Sequence, residues 1–308
     1  MAKYVKTEQG YIDITTNFAP PQFKPVGKSY LTFSSISSFT LAVKNRIKNW
    51  NGTLEYFTSD KTWATWDGTT TLPAVGDDGE YFLYLRGTRN NIITGSNNNC
   101  KWILNGTDIA CVGNIETLLD YTTVESRAHP TMATSCYSYM FLGCTALTQA
   151  PSLPATTLEN NCYSLMFSGC TSLTQVPSLP ATTLANNCYE GMFGRCTSLK
   201  LSSTQTDEYT QEYRIPSSGN GTASISALSD MFASTGGTFI GAPLINTTYY
   251  LSSDNMIIRE TELATLNGYV KAMIEASECI IPSSTSGSAK KFKITVDDTG
   301  TISATEVI

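Results

Sequence analysis

Between residues 136 and 199 the apolar positions keep a fixed phase with one another rather than with a helix or a strand. Cys136-Tyr137 is followed by Met140-Phe141, Cys144 and Leu147, then by Pro151, Leu153, Pro154 and Leu158. The series returns at Cys162, Met166, Phe167, Cys170 and Leu173, and again at Cys188, Met192, Phe193, Cys196 and Leu199. Each return comes 26 residues after the last, from position 136 to 162 to 188. A constant step of this size marks a repeat protein, in which each unit buries its apolar positions only by stacking on its neighbours. The prolines fix φ and withhold a donor, so they turn the chain between stretches. Equivalent residues are expected in columns about 4.8 Å apart, the spacing of adjacent strands. Cys136, Cys162 and Cys188 make one such column, and Cys144, Cys170 and Cys196 a second.

Outside the repeat the period drops to two. Tyr30-Leu31-Thr32-Phe33, Phe39-Thr40-Leu41-Ala42-Val43, Thr53-Leu54-Glu55-Tyr56-Phe57 and Tyr81-Phe82-Leu83-Tyr84-Leu85 alternate or run apolar, with Asn51-Gly52, Asp67-Gly68 and Gly76-Asp77-Asp78-Gly79 as turn signals. Trp63, Trp66 and Trp102 add large apolar area. The expectation is a mainly β chain with four parts. Residues 1–25 form an extended docking arm, stiffened by Pro20-Pro21. Residues 26–112 form an antiparallel β-sandwich. Residues 113–250 form the repeat, with a lead-in at 113–120, an insert at 200–224 and a degraded copy around Met231-Phe232. Residues 251–308 form a C-terminal helix and a β-hairpin. The helix is expected over 261–277, with Leu263, Leu266, Val270 and Met273 along one face. The hairpin pairs residues 291–296 with 301–305.

Composition narrows the function. The 308 residues carry a net charge of −6 and only 15% charged side chains, with no basic cluster, so no nucleic acid is expected as a partner. No stretch approaches the ~20 apolar residues of a membrane helix, so no membrane insertion is expected. The first ten residues hold no apolar core of an export leader, and a chain made in the cytoplasm is expected. Of nine cysteines, six lie in the repeat columns. The spacing within a unit, from 136 to 144, matches no zinc-ligand pattern, and packed free thiols are expected rather than disulfides. His129 is the lone histidine, so any Ser-His-Asp or multi-His metal site has to pass through it. Neither HExxH, GxSxG nor a P-loop occurs. No catalytic residue, cofactor or metal is therefore expected. The paired carboxylates of a glycan-cleaving enzyme can lie far apart and stay open, although the repeats hold only Glu159 and Glu190. Within the insert, Tyr209, Tyr213 and Arg214 are the candidate receptor contacts, because Tyr and Arg are enriched at interface hot spots.

The string CYxxMFxGCTSLTxxPSLPATTLAxxCY resembles the BspA-like class of bacterial leucine-rich repeats, found in Bacteroidales and their phages. The resemblance spans residues 114–200 closely, and it implies a right-handed solenoid used for surface recognition, not catalysis. The preceding segment resembles the β domain that often comes before such repeats. The ending SSTSGSAKKFKITVDDTGTISATEV is similar to that of phage fibre and virion proteins. Together these resemblances imply a non-enzymatic virion protein, a fibre or decoration subunit that presents its solenoid to a bacterial surface glycan or protein. A homotrimer around the 263–273 seam is expected, attached to other virion proteins through the arm or the hairpin. A bacterial cell-surface adhesin of the same class is the alternative, and a glycan depolymerase a distant third.

Overall fold

The computed structural model describes residues 30–258 apart from 78 and 97, together with Pro25 and the backbone of five outlying strands. The chain forms two compact units, residues 1–258 and 259–308. It is mainly β, with several sheets and one α-helix, Thr117–Glu125, among the described residues.

The largest sheet has nine strands and two regimes. Across it run Met256–Ile258, Gln175–Pro177, Leu147–Gln149, Ile109–Val112, Leu31–Ser35, Glu80–Thr88, Thr53–Phe57 and Trp63–Trp66, with Val75–Asp77 beside Glu80–Thr88. From Met256–Ile258 to Ile109–Val112 every pairing is parallel, and from there onward every pairing is antiparallel. The reason is chain connectivity. Successive repeats enter the sheet in the same direction, whereas strands joined by short turns must reverse. Ile109–Val112 carries both pairings, so the sheet passes without a break through residue 112. A second, three-stranded sheet joins Trp102–Asn105, Thr40–Val43 and Leu72–Pro73.

In the repeats the backbone solves its hydrogen bonding by alternation. Cys136, Ser138, Met140 and Cys144 donate their N–H groups to the carbonyl three residues back and close a run of turns. The N–H groups between them reach across to the next coil: Tyr137 to Cys162 O, Tyr139 to Ser164 O, Phe141 to Met166 O and Gly143 to Ser168 O, at 2.8–3.0 Å. Both sets are satisfied, as a buried backbone requires. The geometry puts every fourth residue at positive φ: Ser135, Tyr139 and Gly143, then Asn161, Leu165 and Gly169, then Asn187, Gly191 and Arg195.

The side chains follow the backbone. Tyr137, Tyr163 and Tyr189 stack at 5.6 and 5.9 Å between centroids. Phe141, Phe167, Phe193 and Phe232 stack at 5.5 to 5.8 Å. Both steps are a little wider than the backbone spacing expected. The Phe column runs on into the N-terminal part, where Phe33 and Trp102 each lie 6.1 Å from Phe141 and Trp66 lies 5.6 Å from Trp102. One continuous core results.

After Leu199 the chain leaves the stack, and Met256–Ile258 pairs with Gln175–Pro177. The fully buried Asn255 pins this exchange. Its Oδ1 accepts from Lys200 N at 3.0 Å and Ser252 Oγ at 3.3 Å, and its Nδ2 donates to Ser198 O at 3.0 Å and Thr174 O at 3.3 Å. Between these points Tyr209–Ile215 and Thr247–Ser252 pair antiparallel and join Lys200–Ser202 and Gly236–Gly237 in a four-stranded sheet.

At the termini the strands add detail to the expected parts. Within the arm expected at residues 1–25, Tyr4–Thr7 and Gly10–Asp13 pair antiparallel. The C-terminal hairpin of Lys291–Val296 with Ile302–Val307 gains a third strand, Cys279–Pro282, which supplies a partner to an otherwise open edge. The expected helix at 261–277 and its seam, Leu263, Leu266, Val270 and Met273, lie outside the described residues.

Candidate recognition surface

Each repeat has a dry side and a wet side, and the chemistry of the two is sharply divided. All fifteen residues expected in the repeat core are buried: Cys136, Met140, Phe141, Cys144 and Leu147, with their counterparts in the next two coils. The eight described cysteines are free thiols. The second cysteine column also serves the backbone, since Cys170 Sγ donates to Phe141 O and Cys196 Sγ to Phe167 O, each at 3.1 Å. Cys144 Sγ donates to Trp102 O at 3.4 Å. Burial pushes Cys144 up to about 11 and Cys188 and Cys196 up to about 12, and holds Cys162 and Cys170 well above the usual thiol range. A thiol kept protonated is a poor nucleophile and a poor metal ligand.

The wet side is a set of hydroxyl and amide columns. Thr145, Thr171 and Thr197 are exposed at the same point of three successive coils. Thr157, Thr183 and Thr222 form another exposed column, held in register by parallel pairing of Thr157 with Thr183 and of Thr183 with Thr222. Asn160 and Asn186 make a third, in which Asn160 Oδ1 accepts from Asn186 N at 3.1 Å. These columns carry no charge. They present donors and acceptors on coils that backbone hydrogen bonds and parallel pairing tie to one another. Thr145, Thr171 and Thr197, like Thr157 and Thr183, recur at the 26-residue period, and reading the polar positions of the repeat as closely as the apolar ones would have found them; Thr222 comes 39 residues after Thr183 and joins its column only through the fold.

The three candidate contacts of the insert fare differently. Tyr213 is only 2% exposed, donates its hydroxyl to Pro177 O at 3.1 Å and lies edge-on to Phe232 at 6.0 Å. Tyr209 is also buried. Arg214 is half-buried, and its guanidinium donates to Pro216 O at 3.0 Å and to Gly219 O. Neither tyrosine offers a contact face. The Phe column ends at Phe232 and needs large rings to cover it, and Tyr213 supplies one together with Phe239 and Tyr249.

Other polar groups are engaged internally. His129 Nδ1 lies 2.8 Å from the buried Glu116 carboxylate. Arg86 donates to Glu55 Oε2 at 2.8 Å, and its guanidinium rests 4.1 Å from the Trp63 ring and 4.4 Å from that of Tyr121. No cluster of three or more His, Cys, Asp or Glu groups poised for a metal occurs among the described residues. No helix of the described residues is long and apolar enough to cross a membrane. No protein-family model, curated protein or solved structure matches this chain.

Proposed function

We propose that the chain is a non-enzymatic recognition protein, a BspA-like leucine-rich-repeat solenoid mounted on an antiparallel β-sandwich. On this reading it is carried as a fibre or decoration subunit of a phage virion and displays the solenoid to a bacterial surface. One observation carries the recognition reading: uncharged Thr and Asn columns stand in register on the outside of coils whose thiols are all inside. A repeating surface suits a repeating partner, and a bacterial surface glycan or a repetitive surface protein offers one. The virion assignment rests on the resemblance of the repeat and of the tail. A cell-surface adhesin of the same class would use the same columns, and the neighbouring genes separate the two.

The test is binding of the labelled chain to intact Bacteroidales cells, with Thr183→Arg and Thr171→Arg as probes. Each substitution places a long charged group in the middle of one column. Binding is expected to fall about tenfold or more, which corresponds to roughly 1.4 kcal/mol, while the thermal midpoint stays put. Unchanged binding in both variants overturns the reading. Incubation with capsular glycan should release no new reducing ends, and their appearance would favour a depolymerase. The proposed homotrimer is read directly from the light-scattering mass, and a stable mass near 33.4 kDa sinks it.

A further inference from the structure

The two ends of the coil stack are finished differently. At the first coil every outward carbonyl is met by the N-terminal part. Cys136 O accepts from Ile93 N and Thr94 N, Ser138 O from Thr94 Oγ1 at 2.7 Å, Met140 O from Trp102 N at 2.8 Å, and Leu142 O from Lys101 Nζ at 2.7 Å. The last coil, residues 225–235, is stacked on the third through Tyr189 N to Ala227 O, Gly191 N to Ser229 O, Phe193 N to Met231 O and Arg195 N to Ala233 O. Its own alternate donors are the N–H groups of Leu228, Asp230, Phe232 and Ser234. Among the described residues nothing accepts from any of the four. Their equivalents Tyr137, Tyr139, Phe141 and Gly143 each have a carbonyl on the following coil. The rings of Tyr213, Phe239 and Tyr249 close the apolar column at this end, but they leave the backbone row open.

We propose that this row is an assembly edge, which accepts an apolar polypeptide segment of another protein laid along it in register. The chemistry selects the occupant. Four N–H groups at two-residue spacing ask for four carbonyls at the same spacing, which a main chain supplies, as in strand addition to an open sheet edge. One end of the row is apolar where earlier coils are polar, while Asp230 and Ser234 stand exposed along it. Ile225 is 79% exposed at the place held by Asn160 and Asn186, and Ile240, which follows the capping Phe239, is 95% exposed. The coil stack of a second copy does not fit: its last coil would set donors against donors, and the carbonyls of its first coil are already occupied. The backbone row is separate from the outer Thr columns and does not depend on what they bind.

Amide hydrogen exchange on the full chain tests this. A synthetic peptide with the sequence of residues 160–170 is the probe, because this segment satisfies the equivalent row of the first coil. Without peptide, the amides of Leu228, Asp230, Phe232 and Ser234 are expected to exchange on the order of 100-fold faster than those of Tyr137, Tyr139, Phe141 and Gly143. With peptide they are expected to slow selectively, and Ile225→Asn should weaken that protection about tenfold. Slow exchange in the free chain would falsify the open edge. Fast exchange that the peptide leaves unchanged, or that inorganic phosphate alone slows, overturns the polypeptide occupant.

Discussion

Removing the Asn255 side chain is the sharpest test of how the stack ends. Asn255→Ala deletes the acceptor of Lys200 N–H and of Ser252 Oγ–H, and the donor to Thr174 O and Ser198 O. A typical hydrogen bond contributes about 1 kcal/mol net, and a buried donor left without a partner costs about 1–3 kcal/mol. Two of the four bonds are long at 3.3 Å, so they count for less. The sum is a loss of roughly 3–4 kcal/mol of unfolding free energy. That is a large part of the ~5–15 kcal/mol typical of a domain. Asn255→Asp separates hydrogen bonding from packing. The carboxylate keeps the two accepted bonds but turns an oxygen toward two carbonyl oxygens in a buried site, so at neutral pH it should be at least as damaging as Ala. Near pH 3 its protonated form regains one donor and should recover part of the loss. The assay is urea unfolding followed by Trp fluorescence and circular dichroism, with m-values compared to confirm that the native state is unchanged. A loss below about 1 kcal/mol for Asn255→Ala, or an Asp variant as stable as wild type at neutral pH, refutes the account of the strand exchange.

The two cysteine columns should respond differently to hydroxyl replacement. Cys170→Ser leaves an Oγ that can donate to Phe141 O and should cost under about 1 kcal/mol, whereas Cys162→Ser should cost about 1–3 kcal/mol; equal losses in thermal scans would contradict the difference. Alkaline pH should unfold the chain. Burial raises the folded-state thiols to about 11 or above, so their stabilisation is full below the unfolded value near 8.5 and is lost as pH rises through the folded values. Between the unfolded and folded values each fully buried thiol removes roughly 1.4 kcal/mol per pH unit, and a flat unfolding midpoint between pH 8 and 10.5 would count against the packed columns. Gly191→Ala should destabilise by about 1–2 kcal/mol, because φ is +57° and a Cβ there would meet Leu165 Cδ2 at 2.6 Å. The double variant with Leu165→Ala should relieve the contact and leave only the backbone part, as a double-mutant cycle in urea will show.

The sequence by itself determined what the repeat does locally. A 26-residue return of Cys, Met-Phe, Cys and Leu can be buried only if each coil lies on the next in register, and the columns follow from that requirement. The same holds for strands such as Leu31–Ser35 and Thr53–Phe57, whose apolar positions and flanking turns are local signals. The first coil's union with the N-terminal sheet was not legible. It depends on Ile109–Val112 pairing one way with Leu31–Ser35 and the other way with Leu147–Gln149, and no local pattern records a change of pairing direction. The fate of the insert was hidden for a related reason. Its aromatic residues read as a surface because they lie in a break of the repeat, yet that break leaves the end of the Phe column bare, and Tyr213 is drawn in to cover it. Asn255 reads as an ordinary turn residue, and its contact with Thr174, 81 positions away, is set by which segment fills the slot vacated after Leu199. Periodicity dictates which face of each coil is dry. Where the stack begins, where it ends and what closes it are decided by competition among distant segments for the same hydrogen bonds, and only the folded chain resolves that.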